Sequence, residues 1–272
     1  MFRKITIGLA LAAAFVTTAA SAGAIHDQNL FTANTLARND DGSTGVVDMG
    51  FNINFFGANF TQLYVNNNGN VTFNHALNTY TPFSLLSTST PMLAPFFADV
   101  DTRNSHSEVV QYAQSTIGGR NVFGVNWINV GYYQNAADKT NSFQLIITDR
   151  SDTGAGNFDF QYNYDNVHWE TGTASNGTGG IGGTSARAGW SNGVDHSYEL
   201  AGSAVNGALL DTGSRSLVGH SIDSGVDGRY NFSVRNGIVA PPVPEPETYA
   251  MLLAGLGLLV GVARRKSAGN AA

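Results

Sequence analysis

The sequence predicts an all-β, β-sandwich-like single domain, flanked by an N-terminal signal peptide and a single C-terminal transmembrane helix. Three observations carry that expectation. Short apolar segments alternate with polar residues at period two, and no long stretch repeats at 3.6 residues. Asn-rich and Gly-rich turns separate those segments, and the 272 residues include 32 glycines. Charged residues make up only 12% and aromatics 11%, a profile that suits a sheet protein with many turns and argues against a coiled coil or a charged bundle.

The N-terminus reads Met1-Phe2-Arg3-Lys4, then an apolar run over residues 5–16, then Ala20-Ser21-Ala22. A basic start, a short apolar core and an A-x-A site define a secretory signal peptide over residues 1–22. Ala20 and Ala22 then place the cut before Gly23, and signal peptidase is the implied partner.

The body is expected over residues 23–240. Leu63-Tyr64-Val65 and Val71-Thr72-Phe73 flank Asn66-Asn67-Asn68-Gly69, a hairpin whose Asn-Gly step supplies positive φ. Residues 109–113 and 122–130 flank Gly118-Gly119, a second hairpin. Residues 143–148 form an apolar run of strand length. Phe158, Phe160, Tyr162 and Tyr164 alternate with polar residues, so one face is expected to pack and the other to meet water. Tyr230, Phe232 and Val234 repeat the pattern. Residues 92–100 read as a buried strand that Pro95 demotes to an edge or a bend. A short helix is expected near residues 83–86, and residues 171–183 read as a mobile glycine-rich surface loop.

At the C-terminus, a linker over residues 241–248 contains Val243-Pro244-Glu245-Pro246-Glu247. An apolar run over 249–263 follows, then Arg264-Arg265-Lys266 within a basic tail, 264–272. The run is slightly short of a ~30 Å hydrocarbon core but spans it with Arg and Lys snorkelling. The signal peptide puts the body outside, and the basic cluster then lies in the cytoplasm, as the positive-inside rule requires. The prolines keep their segment extended and accessible. These three ordered elements resemble the PEP-CTERM sorting domain. The resemblance implies recognition by an exosortase, a membrane transpeptidase acting near Pro244-Glu245-Pro246. It also implies transient membrane anchoring before delivery to the surface or the exterior.

Composition narrows the partners. The formal net charge is −6 and the body carries no basic patch, which excludes nucleic acid. Cysteine is absent, so disulfides and thiolate zinc sites are excluded.

In the body, Gly50-Phe51-Asn52-Ile53-Asn54-Phe55-Phe56-Gly57 precedes residues 63–69 and then Pro91-Met92-Leu93-Ala94-Pro95-Phe96-Phe97-Ala98-Asp99-Val100-Asp101. Later come Phe123-Gly124-Val125-Asn126-Trp127, Asn141-Ser142-Phe143-Gln144-Leu145 and Gly156-Asn157-Phe158-Asp159-Phe160. The series resembles the nidogen-type NIDO domain of extracellular matrix and adhesion proteins, most strongly over residues 50–207. The resemblance implies an extracellular, non-catalytic role and supplies no catalytic set to carry across.

The search for chemistry gives weak returns. Gly189-Trp190-Ser191-Asn192-Gly193 fits G-x-S-x-G, but Asp195 and His196 follow too closely to serve as the usual acid and base, and no helical period follows. The six histidines show neither i, i+4 spacing nor H-E-x-x-H. Asp99 and Asp101, two apart, are expected to share one strand face, where Arg103 or a calcium ion would neutralise them. Asp149 and Asp152 beside Arg150 form a second acidic loop. Trp169 and Glu170, next to the glycine-rich loop, are the candidate ligand-binding pair. The resulting expectation is a non-enzymatic surface or matrix protein that requires no cofactor and binds exopolysaccharide or matrix proteins. The alternative is an exported hydrolase acting on polysaccharide or peptide.

Overall fold

A computed structural model describes residues 23–241. The expected signal peptide, the sorting motif, the spanning helix and the basic tail lie outside the described residues. Fourteen strands follow in chain order: β1 (Asn34–Thr35), β2 (Val47–Phe55), β3 (Ala58–Asn66), β4 (Asn70–Thr72), β5 (Pro91–Phe97), β6 (Val100–Asp101) and β7 (Gln111–Ile117) come first. Then come β8 (Arg120–Tyr132), β9 (Ala136–Asp149), β10 (Phe158–Asn166), β11 (Arg187–Asn192), β12 (Ser197–Glu199), β13 (Arg229–Arg235) and β14 (Ile238–Val239). They form two sheets. The first runs β1-β7-β8-β9-β10-β13-β14, with β6 also on β8, and the second runs β12-β11-β5-β4-β3-β2. Every ladder between these strands is antiparallel. Among the described residues the only helical pieces are 3-10 turns of three or four residues.

The core lies between the sheets. β10 sends Phe158, Phe160, Tyr162 and Tyr164 inward, and β13 adds Tyr230, Phe232 and Val234, as the alternation predicts. Phe160 faces Phe232 directly in register and stacks on it at 4.7 Å. Aromatic contacts cross the interface, with Phe55 6.0 Å from Phe158 and Phe96 5.3 Å from Phe143. Two tyrosine hydroxyls are satisfied across the same gap, Tyr162 donating to Gly189 O and Tyr164 to Pro95 O, each at 2.6 Å. Burying a large apolar side chain stabilises by roughly 1.5–3 kcal/mol, so this aromatic layer dominates cohesion in a chain without disulfides.

Both expected hairpins form. Ile117 pairs with Arg120 around Gly118 and Gly119, whose φ values of 57° and 77° suit a type I′ turn. Asn66 pairs with Asn70 around a three-residue loop that ends on Gly69 at φ 71°. That second turn is buried rather than exposed: Asn66, Asn67, Asn68 and Asn70 are all inside. Gly69 is required there, because a Cβ would lie 1.8 Å from Phe96 O.

Three expectations are corrected. β5, which contains Pro95, is a central strand between β4 and β11, so the edge is overturned and the bend is the alternative that holds. The β5–β11 register shifts between Phe97 and Ala94, so the proline falls at a bulge and withdraws no ladder donor. The outer face of the first sheet is not wholly wet. The segment around the turn Gln28–Phe31 crosses it, and Phe31 packs with Ala113, Val122 and Ile146 against Gly124. Beside it lies a buried amide ladder: Gln144 donates to Asn126 Oδ1 at 2.8 Å, and Asn163 donates to Gln144 Oε1 at 3.1 Å. The helix expected near residues 83–86 is a 3-10 turn, Leu85–Ser87, capped by Ser84. Leu85 packs there with Leu77, Met92, Ala94 and Phe97 in a smaller cluster of its own.

Candidate functional site

Four segments meet at one end of the sandwich: the loop 38–42, the buried turn 66–70, the chain leaving β5 at 98–103, and the loop 171–177. Local hydrogen bonds explain why. Asn39 N donates to Thr102 Oγ1, and Thr102 donates to Asn39 O through both its amide and its hydroxyl, each at 2.9 Å. Arg38 Nη1 donates to the carbonyls of Thr102 and Asn104 at 2.8 Å and to that of Ser107. Asn67 N donates to Gly42 O at 2.9 Å, and Asn67 Nδ2 donates to the carbonyls of Asp40 and Val100. Asn68 Oδ1 accepts Val100 N at 3.0 Å, while its Nδ2 donates to Asp41 Oδ1 at 2.9 Å. The Asn-rich turn thus fastens the aspartate loop to the strand exit.

This stitching brings Asp40, Asp41 and Asp99 together, each offering an oxygen within 4.8 Å of the others. Asp99 is 1% exposed, and neither of its carboxyl oxygens has a hydrogen-bond partner. Gly172 closes over it, since a Cβ there would lie 2.4 Å from Asp99 Oδ2. Burial, then repulsion from Asp40, Asp41 and Asp101, pushes the Asp99 carboxyl up to about 7. Burial and the charges of Asp101 and Asp41 push Asp40 up to about 6.

Asp101 differs from its neighbour. Its oxygens accept Arg103 Nε at 2.9 Å, Arg103 Nη2 at 2.5 Å, Arg103 N at 3.0 Å and Asn135 N at 2.7 Å. Burial alone would raise this carboxyl, but these donors hold it below the usual range. The expectation that Asp99 and Asp101 share a cation is therefore corrected. Arg103 saturates Asp101, and Asp99 faces Asp40 and Asp41 instead. The pair Asp40-Asp41 escaped the sequence reading because nothing local ties residue 41 to residue 99.

The ligand expectation for Trp169 and Glu170 is corrected as well. Both are 0% exposed. Trp169 Nε1 donates to Val130 O at 3.0 Å, and the ring packs edge-on against Phe96. Glu170 accepts the amides of Gly207 and Leu209, each at 2.7 Å. The glycine-rich loop covers the pair rather than waving free: the amides of Glu170 and Thr171 both donate to Gly180 O, and Thr178 bridges Ile181.

The remaining candidates do not converge. Ser191 is buried on β11, its Oγ accepts Gly193 N at 3.0 Å, and the chain continues through a turn into β12 rather than a helix. His196 and Asp195 are exposed, with Nδ1 2.6 Å from Oδ1, and the imidazole stacks on Phe56. In the second acidic loop Arg150 pairs with Asp152 at 3.0 Å and with Asp159 at 2.6 Å, while Asp149 accepts Ser151 N at 2.9 Å and Ser151 Oγ at 3.1 Å. A groove of about 390 Å³ on the first sheet is lined by His26, Thr148, Asp159, Gln161, Asn231 and Ser233 among others. Two carboxylates line it, Asp159 and Asp223, and Asp159 is held by Arg150 at 2.6 Å and Arg235 at 2.7 Å.

Comparison with known proteins places this architecture. A family model described as the nidogen-like domain matches residues 61–236, and one described as the PEP-CTERM protein-sorting motif matches residues 242–266. The first match starts later than the expected resemblance and reaches through β13. Alpha-tectorin of Mus musculus is 32% identical over 189 residues, covering 60% of this chain and 8% of its own length. Nidogen of Drosophila melanogaster is 33% identical over 131 residues, covering 39% of this chain and 10% of its own length. Nidogen-2 of Mus musculus is 27% identical over 150 residues, covering 44% of this chain and 11% of its own length. The chain thus spans about a tenth of the length of these curated relatives. No solved structure matches it significantly. The chain belongs to the nidogen-like domain family and carries a PEP-CTERM sorting motif directly behind that domain.

Proposed function

We propose that this is an exported, non-enzymatic surface or matrix protein whose sandwich binds exopolysaccharide or other matrix proteins. The observation that carries the reading is the order of two matches, a nidogen-like body at 61–236 followed at once by a sorting motif at 242–266. In this reading residues 1–22 direct export, with cleavage between Ala22 and Gly23. The body folds outside over residues 23–240. Residues 249–263 hold the chain in the membrane until an exosortase acts at Val243-Pro244-Glu245-Pro246, with Arg264, Arg265 and Lys266 stopping transfer.

Two features of the structure support binding over catalysis. The fold spends its buried polar groups on fastening loops, as at Asn67, Asn68 and Glu170, not on aligning a nucleophile with a base. In the groove on the first sheet, Asp159 is held in ion pairs with Arg150 and Arg235. Weak contacts repeated over many copies in a matrix give strong retention without a deep pocket.

Incubating the processed protein with matrix polysaccharide separates this reading from the hydrolase alternative. Saturable retention with no new reducing ends or peptide fragments is the expected result. Turnover of either substrate class sinks the proposal.

A further inference from the structure

We propose that Asp40, Asp41 and Asp99 form a calcium site that fastens the loops at this end of the sandwich. The three carboxylates approach within 4.8 Å of one another. Asp99 is 1% exposed, both of its oxygens are buried without a partner and one of them lies in the cluster, and Asp40 Oδ1 is buried and unpartnered as well. Unpaired carboxylate oxygens inside a protein are costly unless a cation or donors answer them. The nearby cation, Arg103, reaches Asp40 Oδ2 at 3.1 Å and donates to Asp101 through Nε and Nη2. It leaves Asp99 unanswered.

The donor chemistry selects the ion. The cluster holds carboxylates alone, with no histidine among its members and no cysteine in the chain, so hard cations are favoured over zinc or copper. Calcium takes about six to eight oxygens in a tolerant geometry. The three carboxylates each bring one oxygen to the cluster, and water completes such shells. Two further buried oxygens without partners, Asn67 Oδ1 and Thr171 Oγ1, belong to segments that meet at this end of the sandwich. Asn67 belongs to the turn that grips Asp40 and Val100, and Thr171 precedes the glycine that abuts Asp99. An ion here would join segments that are about sixty residues apart in sequence (roughly 40 to 99), where loop closure is the main cost of assembly. The site is internal to the fold, so it stands or falls independently of what the surface binds.

The test uses the full chain purified in mild detergent and stripped with a chelator. Calorimetric titration with calcium chloride should show saturable heat, with a dissociation constant of about 10⁻⁴–10⁻³ M, the range of extracellular calcium modules. Thermal unfolding should shift upward in about 10 mM calcium. Asp99→Asn, which keeps the shape and removes the charge, should weaken calcium binding by about tenfold or more. Asp41→Asn provides the same test if Asp99→Asn fails to fold. Asp152→Asn, at an exposed site, should bind like the parent chain. Absence of both heat and thermal shift in the parent overturns the site. So does undiminished binding in the folded Asp99 or Asp41 variants. An equal response to magnesium overturns the assignment to calcium.

Discussion

Replacing Glu170 with alanine tests whether this buried carboxylate is a structural clamp rather than a ligand group. Its two oxygens accept the amides of Gly207 and Leu209 at 2.7 Å each, and these bonds pin the irregular segment between β12 and β13 onto the sandwich. Hydrogen bonds to a charged acceptor contribute about 1.5–3 kcal/mol each. Two of them set a ceiling of roughly 3–6 kcal/mol. Burial raises the Glu170 carboxyl above its ordinary range despite those donors, so part of the gain is already offset by desolvation. The net loss expected for Glu170→Ala is therefore about 2–4 kcal/mol, a large fraction of the ~5–15 kcal/mol that a domain has in total. With a urea slope of about 2–3 kcal/mol/M the midpoint falls by about 1 M. Tryptophan fluorescence is a suitable probe, because Trp127 and Trp169 are buried on either side of Phe143 and Phe96. A midpoint shift below about 0.3 M refutes the clamp. Loss of polysaccharide retention at unchanged stability refutes it too, and restores a binding role to Glu170.

Three further outcomes follow from named contacts. Because Glu170 is raised above 4.5 in the folded chain, the native state takes up its proton at a higher pH than the unfolded chain does. Its titration therefore favours folding fully below that unfolded value, and the benefit is lost as pH rises through the folded pKa; Glu170→Gln should remove this slope from stability measured against pH. Gly69→Ala should cost about 3 kcal/mol or more by urea unfolding, since the residue sits at φ 71° and a Cβ would lie 1.8 Å from Phe96 O. Gly124→Ala should lower stability by about 1–3 kcal/mol, because a Cβ would lie 2.3 Å from the Phe31 ring. Combining it with Phe31→Leu should cost less than the sum of the single changes, a coupling that thermal unfolding of the four-member cycle measures.

What was legible in the sequence was local. The Gly118-Gly119 and Asn-Gly hairpins announce themselves because a positive φ within a few residues fixes the turn. The alternation in β10 and β13 announces a packed face because period two maps directly onto the pleat. What depends on distant partners was not legible. Pro95 looks like a mark of an edge or a bend until the extra residue of β5 is seen to bulge against β11 there. Asn126, Gln144 and Asn163 look like solvent-facing residues until the N-terminal segment is laid over them. Trp169 and Glu170 look accessible beside a glycine-rich loop, but that loop folds back through Gly180 and buries them. Asp40 and Asp41 drew no reading from the sequence, and only tertiary structure sets them against Asp99. The sorting motif, by contrast, is a run of consecutive residues, and its ordered elements were visible without any fold.

Export followed by cutting at both ends is the claim on which the functional account rests, and intact mass spectrometry of the protein recovered outside the cell tests it most directly. The account predicts a single species that begins at Gly23 and ends within residues 243–247. A full-length chain, soluble in the cytosol and beginning at Met1, would contradict it.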